Sequence, residues 1–458
     1  MKKALNSMDE LSRRKFMWNF AKSSLGVSML SLFPRNILAE AGTAPPKGGT
    51  AKNVIYIYMN GGMSHIDTFD PKPGSKSQGP TESIKTNVPG IILSQHLPQL
   101  AKKMDKIALI RSMTSKTGVH ESGTYMMRTA FRPSGNIVHP TMGAWAQLAL
   151  GRRGQRLPDS VTIGGGADHP GAGFLGPQFS PIPINSPGDG LPYSKPPKGV
   201  SEKDVESRME LARAFDESFR HKYKKNQDVK DYEGFYQETV DLLQSEDLSA
   251  FDLKKEPNDL KEKYGRGQLG SAALLARRLI ENGVRFVEIN HGGWDTHNNN
   301  FNAMETKVPA VDQAVGALMD DLESRGMLKD TLIVIGSEFG RTPNINVNSG
   351  RDHHPRVYST FFAGGGVAGG QVYGESDENA FAVKENPVQI EDFIPRSPTA
   401  WGFRSISGCM RRMVARSSSG TKASRSPRSS ASASESETLR KGTPGRGAFL
   451  RLRIDPDC

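Results

Sequence analysis

Cysteine is scarce in this sequence. Of 458 residues only two are cysteines, Cys409 and Cys458, and both lie near the carboxyl end. Residues 51–393 therefore cannot hold a cysteine nucleophile, a thiolate zinc site or an iron–sulfur cluster, because each of these needs a thiolate. A body without cysteine also suits an oxidising compartment, where free thiols would mispair.

Excess charge is also missing from the central part of the chain. The net charge of +11 comes from the two ends: residues 1–41 carry +4 and residues 394–458 carry +9, which leaves residues 42–393 at −2. A nearly neutral body lacks the basic surface that attracts nucleic acid, so we expect no nucleic-acid partner. A basic nucleic-acid-binding or surface-binding function would rest on the tail alone.

The amino-terminal residues match an export signal. The segment 12–17 reads SRRKFM, a twin-arginine pattern, and it is followed by an apolar stretch to Leu32 and an A-x-A cleavage site at Ala39–Ala41. We predict a twin-arginine (Tat) signal peptide over residues 1–41, read by the Tat export machinery, with a periplasmic or extracellular mature protein. Residues 42–50 read as a flexible linker. The apolar stretch is too short and too polar for a stable membrane span; the alternative is a cytosolic amphipathic helix with a chance arginine pair.

Apolar runs alternate with helical patterns between residues 51 and 393, which predicts an α/β fold with a mostly parallel central sheet flanked by helices. The predicted strands are Ala51–Met59, Ile107–Ser112, Pro158–Ile163, Val284–Asn290, Thr331–Ile335 and Val357–Gly366. The predicted helices include Ser122–Ala130, Pro140–Leu150, Gln268–Asn282 and Val308–Arg325. Proline and glycine predict loops at 71–98 and 164–197, and the charged stretch at about 201–250 predicts a helical insertion.

Acidic and histidine residues follow several predicted strands. In an open α/β sheet ligands bind at the carboxyl ends of strands, and carboxylate with imidazole is a donor set for divalent metals. We therefore predict a metal site whose candidate ligands are Asp67, Asp295, His297, Glu338, His353 and His354. The alternative is that Asp295, Asp352 and Glu338 cap loops and pair with nearby arginines.

Three further residues are candidates for catalysis. Ser122 and His120 fall at the start of a predicted helix, where the helix dipole favours an anion or developing negative charge. Ser122 is the candidate nucleophile with His120 beside it, although Ser122 equally suits a helix cap. Arg341 is a candidate for bidentate binding of a substrate anion.

Four motifs, SHIDTFDPKPG, GGWDTH, SEFGRTP and GRDHHP, resemble a bacterial exported family of sulfatase-like proteins, the domain-of-unknown-function 1501 (DUF1501) family. The resemblance covers roughly residues 50–393 and places the chain within the alkaline phosphatase/sulfatase superfamily. It implies an alkaline-phosphatase-like core and one or two divalent metals (Zn, Ca, Mg or Mn). It also implies hydrolysis of a sulfate or phosphate ester of a small molecule or polysaccharide.

The resemblance assigns ligand roles to Asp295, His297 and Glu338, and to His353 or His354, with Asp67 as the match on the first strand. The sequence departs from the superfamily at Phe339, where a histidine is usual, and it lacks the Cys/Ser-x-Pro-x-Arg sulfatase nucleophile motif. A non-catalytic binding or scaffold protein on the same fold is therefore the alternative function.

Residues 394–458 are rich in arginine and serine and show little periodicity. Two interpretations stay open: a natural disordered basic tail, or a frameshift that replaces the native carboxyl-terminal segment. Reading the gene in all three frames distinguishes them, because only a frameshift predicts a family-like continuation in another frame.

Overall fold

The structure, a computed structural model, describes residues 51–393 except 152, 154–156, 166–167, 192–193, 195–198, 202, 205–206, 209, 212–241 and 243–244. The predicted signal peptide, linker and tail, and most of the predicted insertion, lie outside the described residues. Within the described part, no helix combines the length and the apolar character needed to cross a bilayer.

Short and long strands alternate with helices along the described chain. The strands are β1 Asn53–Met59, β2 Ser83–Lys85, β3 Ile92–Ser94, β4 Ile107–Thr114, β5 Ser160–Ile163, β6 Ile182–Ile184, β7 Phe286–His291, β8 Thr331–Gly336, β9 Gly340–Arg341, β10 His353–His354, β11 Tyr358–Gly364, β12 Gln371–Tyr373, β13 Glu375–Ser376, β14 Val383–Glu385 and β15 Val388–Gln389. The α-helices are α1 Pro98–Ala101, α2 His120–Thr129, α3 Met142–Leu150, α4 Asn258–Tyr264, α5 Gln268–Glu281, α6 Asn300–Ser324 and α7 Ile390–Phe393. Short 3-10 helices are Met104–Lys106, Gly173–Leu175, Pro177–Phe179, Glu246–Phe251, Leu253–Lys255 and Leu328–Asp330.

Nine strands form one central sheet, in the order β12-β4-β11-β8-β1-β7-β5-β6, with β15 also paired to β4. The strand β1 is parallel to β7 and β8, β5 is parallel to β6 and β7, and β12 and β15 are parallel to β4. The strand β11 pairs antiparallel with β4 and β8, so among the described strands of this sheet it alone is reversed. The predicted mostly parallel sheet is confirmed.

Helices cover both faces of the sheet because the central strands are apolar on both sides. Along β1, Ile55, Ile57 and Met59 enter a hydrophobic cluster with α5 and α6. Tyr56 and Tyr58 point to the other face and enter a second cluster with α2, α3 and α7. The loops at the carboxyl ends of β1, β7 and β8 lie next to one another, because β1 pairs in parallel with β7 on one side and with β8 on the other.

Two of the loop predictions are wrong. The stretch 71–98 contains the antiparallel β2–β3 pair and the start of α1, and the stretch 164–197 contains β6, which forms one edge of the central sheet. Each of these strands is three residues long, and so short a strand gives no readable period-two pattern in sequence.

Candidate metal centre

Four segments that are distant in sequence meet at the carboxyl ends of β7 and β8. The loop after β7 supplies Asp295 and His297, and Glu338 follows β8 directly. His120 is the first residue of α2, and His353 lies on β10, which pairs with β9 so that His353 is opposite Arg341. The sheet therefore gathers acidic and imidazole side chains at one point, as its parallel topology requires.

Three imidazole rings converge on one carboxylate oxygen. The Oδ1 atom of Asp295 lies 3.4 Å from Nε2 of His120, 3.1 Å from Nε2 of His297 and 3.2 Å from Nε2 of His353. The Nε2 atoms of His297 and His353 are 2.9 Å apart. His120, Asp295 and His353 each offer one ligand atom within 4.8 Å of the others, which makes them a group that could hold a metal ion.

The second nitrogen of each ring is engaged by an oxygen atom. In His120, Nδ1 lies 2.8 Å from Oε1 of Glu338. In His297, Nδ1 lies 2.7 Å from Oδ1 of Asp352, and in His353 it lies 2.7 Å from the Gly118 carbonyl oxygen. Carbonyl and carboxylate oxygens accept hydrogen bonds, so each Nδ1 donates, and a ring that is neutral then keeps a lone pair on Nε2. Metal-binding histidines have this arrangement, with the outer nitrogen held by a carboxylate or carbonyl.

Converging lone pairs are unfavourable unless something positive lies between them. Nε2 of His120 is buried and has no hydrogen bond to any group in the described part of the chain. A cation bound by this atom, by Asp295 and by His353 would satisfy it, so the residues present fit a divalent metal. The donors are imidazole nitrogen and carboxylate oxygen, a set that suits zinc and other transition metals better than calcium or magnesium, which prefer oxygen.

The site is open to solvent on one side and rigid on the other. The side chains of Asp295 and His297 are 47% and 40% exposed, whereas those of Glu338 and Arg341 are fully buried. Phe339 closes the inner side, with its ring centroid 5.0 Å from that of His120 and 4.7 Å from that of His353. A substrate could thus approach from the side of Asp295 and His297.

Arg341 holds the loop that carries Asp295. Its guanidinium donates to the carbonyls of Gly62 and Arg351 at 2.9 and 3.0 Å, and it also bonds to the Gly61 carbonyl and to Asp295. Burial by itself would raise the pKa of Asp295, but the hydrogen bond from the Arg341 guanidinium outweighs burial, so the net pKa is well below its usual range. Asp295 is therefore ionised at neutral pH, while bidentate binding of a substrate anion by Arg341 would require these contacts to break.

Two of the predicted ligands make other contacts. Asp67 is buried and forms an ion pair with Arg351 at 2.9 Å, and its oxygens also accept from Ser64, Thr81 and Asn300. His354 donates through Nε2 to the Phe381 carbonyl at 2.8 Å, and its ring stacks on that of His65. Neither belongs to the group of three that could hold a metal among the described residues.

Comparison with known proteins places the chain in a family. The model of the family described as "Protein of unknown function (DUF1501)" matches residues 51–403. The chain belongs to this family. No curated protein matches the sequence.

Several solved structures are similar to this DUF1501 chain. Ps i-CgsB is 12% identical with a TM-score of 0.37, over 75% of this chain and 70% of that chain. A protein in the alkaline phosphatase superfamily from Vibrio parahaemolyticus is 12% identical with a TM-score of 0.35, over 81% and 74%. The alkaline phosphatase from the Antarctic bacterium TAB5 is 15% identical with a TM-score of 0.31, over 73% and 96%.

Two of the three catalytic candidates of this DUF1501 chain, His120 and Ser122, lie at the start of α2. The residue that precedes the helix is Val119 and makes no side-chain cap, so the structure does not use Ser122 as the cap. Ser122 is half-buried in the first turn, two residues beyond His120. Thr124, one turn into the helix, hydrogen-bonds to the Tyr58 hydroxyl at 2.8 Å.

Sequence reasoning missed one residue that supports the site, Tyr58. Its hydroxyl donates to Oε2 of Glu338 at 2.8 Å from within β1. The signal was present in the strand NVIYIYM, where two tyrosines alternate with aliphatic residues and so share one face. A buried tyrosine usually finds a partner for its hydroxyl, which would have pointed to a polar group above that face.

Proposed function

We propose that this protein is an exported, metal-dependent hydrolase of sulfate or phosphate esters. The observation that carries the proposal is the convergence of three imidazole Nε2 atoms on Oδ1 of Asp295, each ring fixed through Nδ1. His120, Asp295 and His353 would hold the ion, and His297 is the neighbouring donor on the solvent side. A bound divalent ion would polarise an ester oxygen and lower the pKa of a water or hydroxyl next to it.

The residues around the site would keep this arrangement rigid. Arg341 restrains Asp295, Glu338 restrains His120, and Asp352 restrains His297, so no side chain has to reorganise on binding. Preorganised charge of this kind is the largest contribution to catalysis in many enzymes. The candidate nucleophilic hydroxyl is Ser122, which lies in the same helical turn as His120.

Hydrolysis is tested with an aryl sulfate and an aryl phosphate as chromogenic substrates. Purified protein loaded with zinc or manganese should hydrolyse one of them, and His353→Ala should reduce kcat/KM by at least 100-fold, since loss of a catalytic group typically costs this much. Ser122→Ala distinguishes a serine nucleophile, for which activity is lost, from attack by water, for which it is retained. As a matched control, Asp312→Asn changes a buried carboxylate on α6 that accepts from the backbone N–H groups of Gln99 and Leu100.

Two results would decide against catalysis. Metal-loaded protein that hydrolyses neither ester class would favour the alternative, a non-catalytic binding or scaffold protein on the same fold. Activity that is equal in the wild type and in His353→Ala would show that the proposed site is not responsible for hydrolysis.

Export has its own test. We propose that the twin-arginine segment directs the folded protein to the periplasm or beyond, which would allow a metal to be loaded before export. Replacing Arg13 and Arg14 by lysine should retain the protein in the cytoplasm, as measured by fractionation. Unchanged export of that variant would contradict the Tat assignment.

A further inference from the structure

Glu338 lies at the carboxyl end of β8 and is completely buried. Its Oε1 atom accepts from the Gly61 N–H at 2.8 Å and faces Nδ1 of His120 at 2.8 Å. Its Oε2 atom accepts from the Tyr58 hydroxyl at 2.8 Å, and the Ser337 hydroxyl lies 3.2 Å away. Both oxygens of the carboxylate are therefore already engaged with protein donors.

A carboxylate in this position has little capacity left for a metal ion. Two oxygens offer about four lone-pair positions: the two of Oε1 face the Gly61 N–H and Nδ1 of His120, and Oε2 accepts from the Tyr58 hydroxyl. Binding an ion would require Glu338 to give up one of these bonds inside the protein, where an unpaired buried donor costs about 1–3 kcal/mol. His120, by contrast, has its Nε2 atom buried and 3.4 Å from Oδ1 of Asp295, which is longer than the usual N–H···O hydrogen bond.

We propose that Glu338 is a positioning residue that acts through His120, and not a metal ligand. It accepts the Nδ1 proton of His120, which fixes the tautomer whose Nε2 lone pair faces Asp295. The inference rests on the proposed metal site. It departs from the ligand role that the family resemblance assigns to Glu338.

The surroundings of both groups favour this role. The His120 ring is enclosed by Phe339 and by the edge of the His353 ring, whose centroid is 4.3 Å away, so it cannot turn without displacing them. On the other side, burial together with the nearby Glu338 charge raises the pKa of Tyr58 well above its ordinary value. The Tyr58 hydroxyl therefore keeps its proton at neutral pH, where it donates to Glu338.

Zinc affinity, measured by competition with a chelator on the full chain, tests the proposal without depending on hydrolysis. We expect His120→Ala to lose the bound ion. We expect Glu338→Gln to keep one ion per chain with an affinity lower by about 10- to 100-fold, the usual effect of removing the outer partner of a histidine ligand. The matched control Asp312→Asn should bind zinc as the wild type does.

Each other outcome overturns the inference. Loss of the ion from Glu338→Gln as complete as from His120→Ala would make Glu338 a ligand, and an unchanged affinity would remove its positioning role while leaving the proposed metal site intact. A wild type that binds no zinc would overturn this inference together with the proposed function. If Glu338→Gln does not fold, a zinc-loaded structure of the wild type decides. We expect His120 Nε2 at about 2.0–2.1 Å from the ion, and a Glu338 oxygen among the ligands would contradict us.

Discussion

A buried ion pair beneath the site gives a prediction whose size can be worked out. Glu288 lies in β7 on the α2 side of the sheet, accepts from Nε of Arg128 at 2.8 Å and is 3.2 Å from Nε2 of His169. Burial by itself would raise the pKa of Glu288, but Arg128 and His169 lower the pKa by more than burial raises it. The net pKa falls from 4.5 to about 2. Glutamate in the unfolded chain keeps its ordinary value, so protonation is linked to unfolding.

The sign and size follow from that difference. A carboxylate whose pKa is lower in the folded state stabilises the fold at pH values above the pKa of the unfolded chain. This stability is lost as pH falls from about 4.5 to 2. A shift of about 2.5 units at 1.36 kcal/mol per unit gives ~3 kcal/mol. The Glu288→Gln variant also leaves Arg128 charged and unpaired, which costs about 3–5 kcal/mol. With an unfolding entropy of ~2.1 cal/mol/K per residue over about 340 residues, that cost lowers Tm by roughly 4–7 °C.

Thermal unfolding followed by circular dichroism measures this effect. The Tm of Glu288→Gln should lie below that of the wild type at pH 7, and the gap should narrow as pH falls below about 4.5, because the wild type then loses the Glu288 contribution. Glu305→Gln, on the exposed side of α6, is the matched control and should leave Tm unchanged. A gap under 1 °C at pH 7, or one that is constant down to pH 2.5, would refute the reasoning.

The remaining predictions concern the loops of the site. Gly350→Ala should weaken zinc binding at least tenfold, because a Cβ atom there would lie 1.8 Å from the His297 carbonyl oxygen. At Gly292 an added Cβ atom would have no other atom within 4 Å, so the control Gly292→Ala should bind zinc as the wild type does. Equal affinities for the two variants, by chelator competition, would contradict this. Asp352→Asn should weaken zinc binding by less than Glu338→Gln, because Asp352 is 55% exposed and water can replace it as the partner of His297. A larger loss for Asp352→Asn would reverse that order.

The central strands could be predicted because each is a run of apolar residues bounded by turns. β1 and β8 agree with prediction to within two residues. Helix α6 was predicted only from Val308, but it begins at Asn300 and passes through Pro309 without ending. Its first two turns carry mostly polar residues, and a proline reads as a helix breaker in sequence, so tertiary packing of Met304 and Val308 decides the start.

The composition of the site was predicted more accurately than the role of each residue. His353 and His354 are neighbours on the extended strand β10, and successive residues of a strand face opposite sides, so only one of them can face Asp295. The partner of Asp67 is Arg351, 284 positions away, and no local pattern reveals such a pairing. His120 was predicted as a catalytic residue beside Ser122, and its position next to Asp295 depends on how α2 packs above β8.

Metal content is the most direct test of the proposed site. Purified wild-type protein, loaded with zinc, dialysed and analysed by plasma mass spectrometry, should contain one tightly bound ion per chain. Asp295→Ala removes the oxygen on which the three imidazoles converge and should contain none. A wild type without bound metal, or an Asp295→Ala variant that retains as much as the wild type, would contradict the assignment.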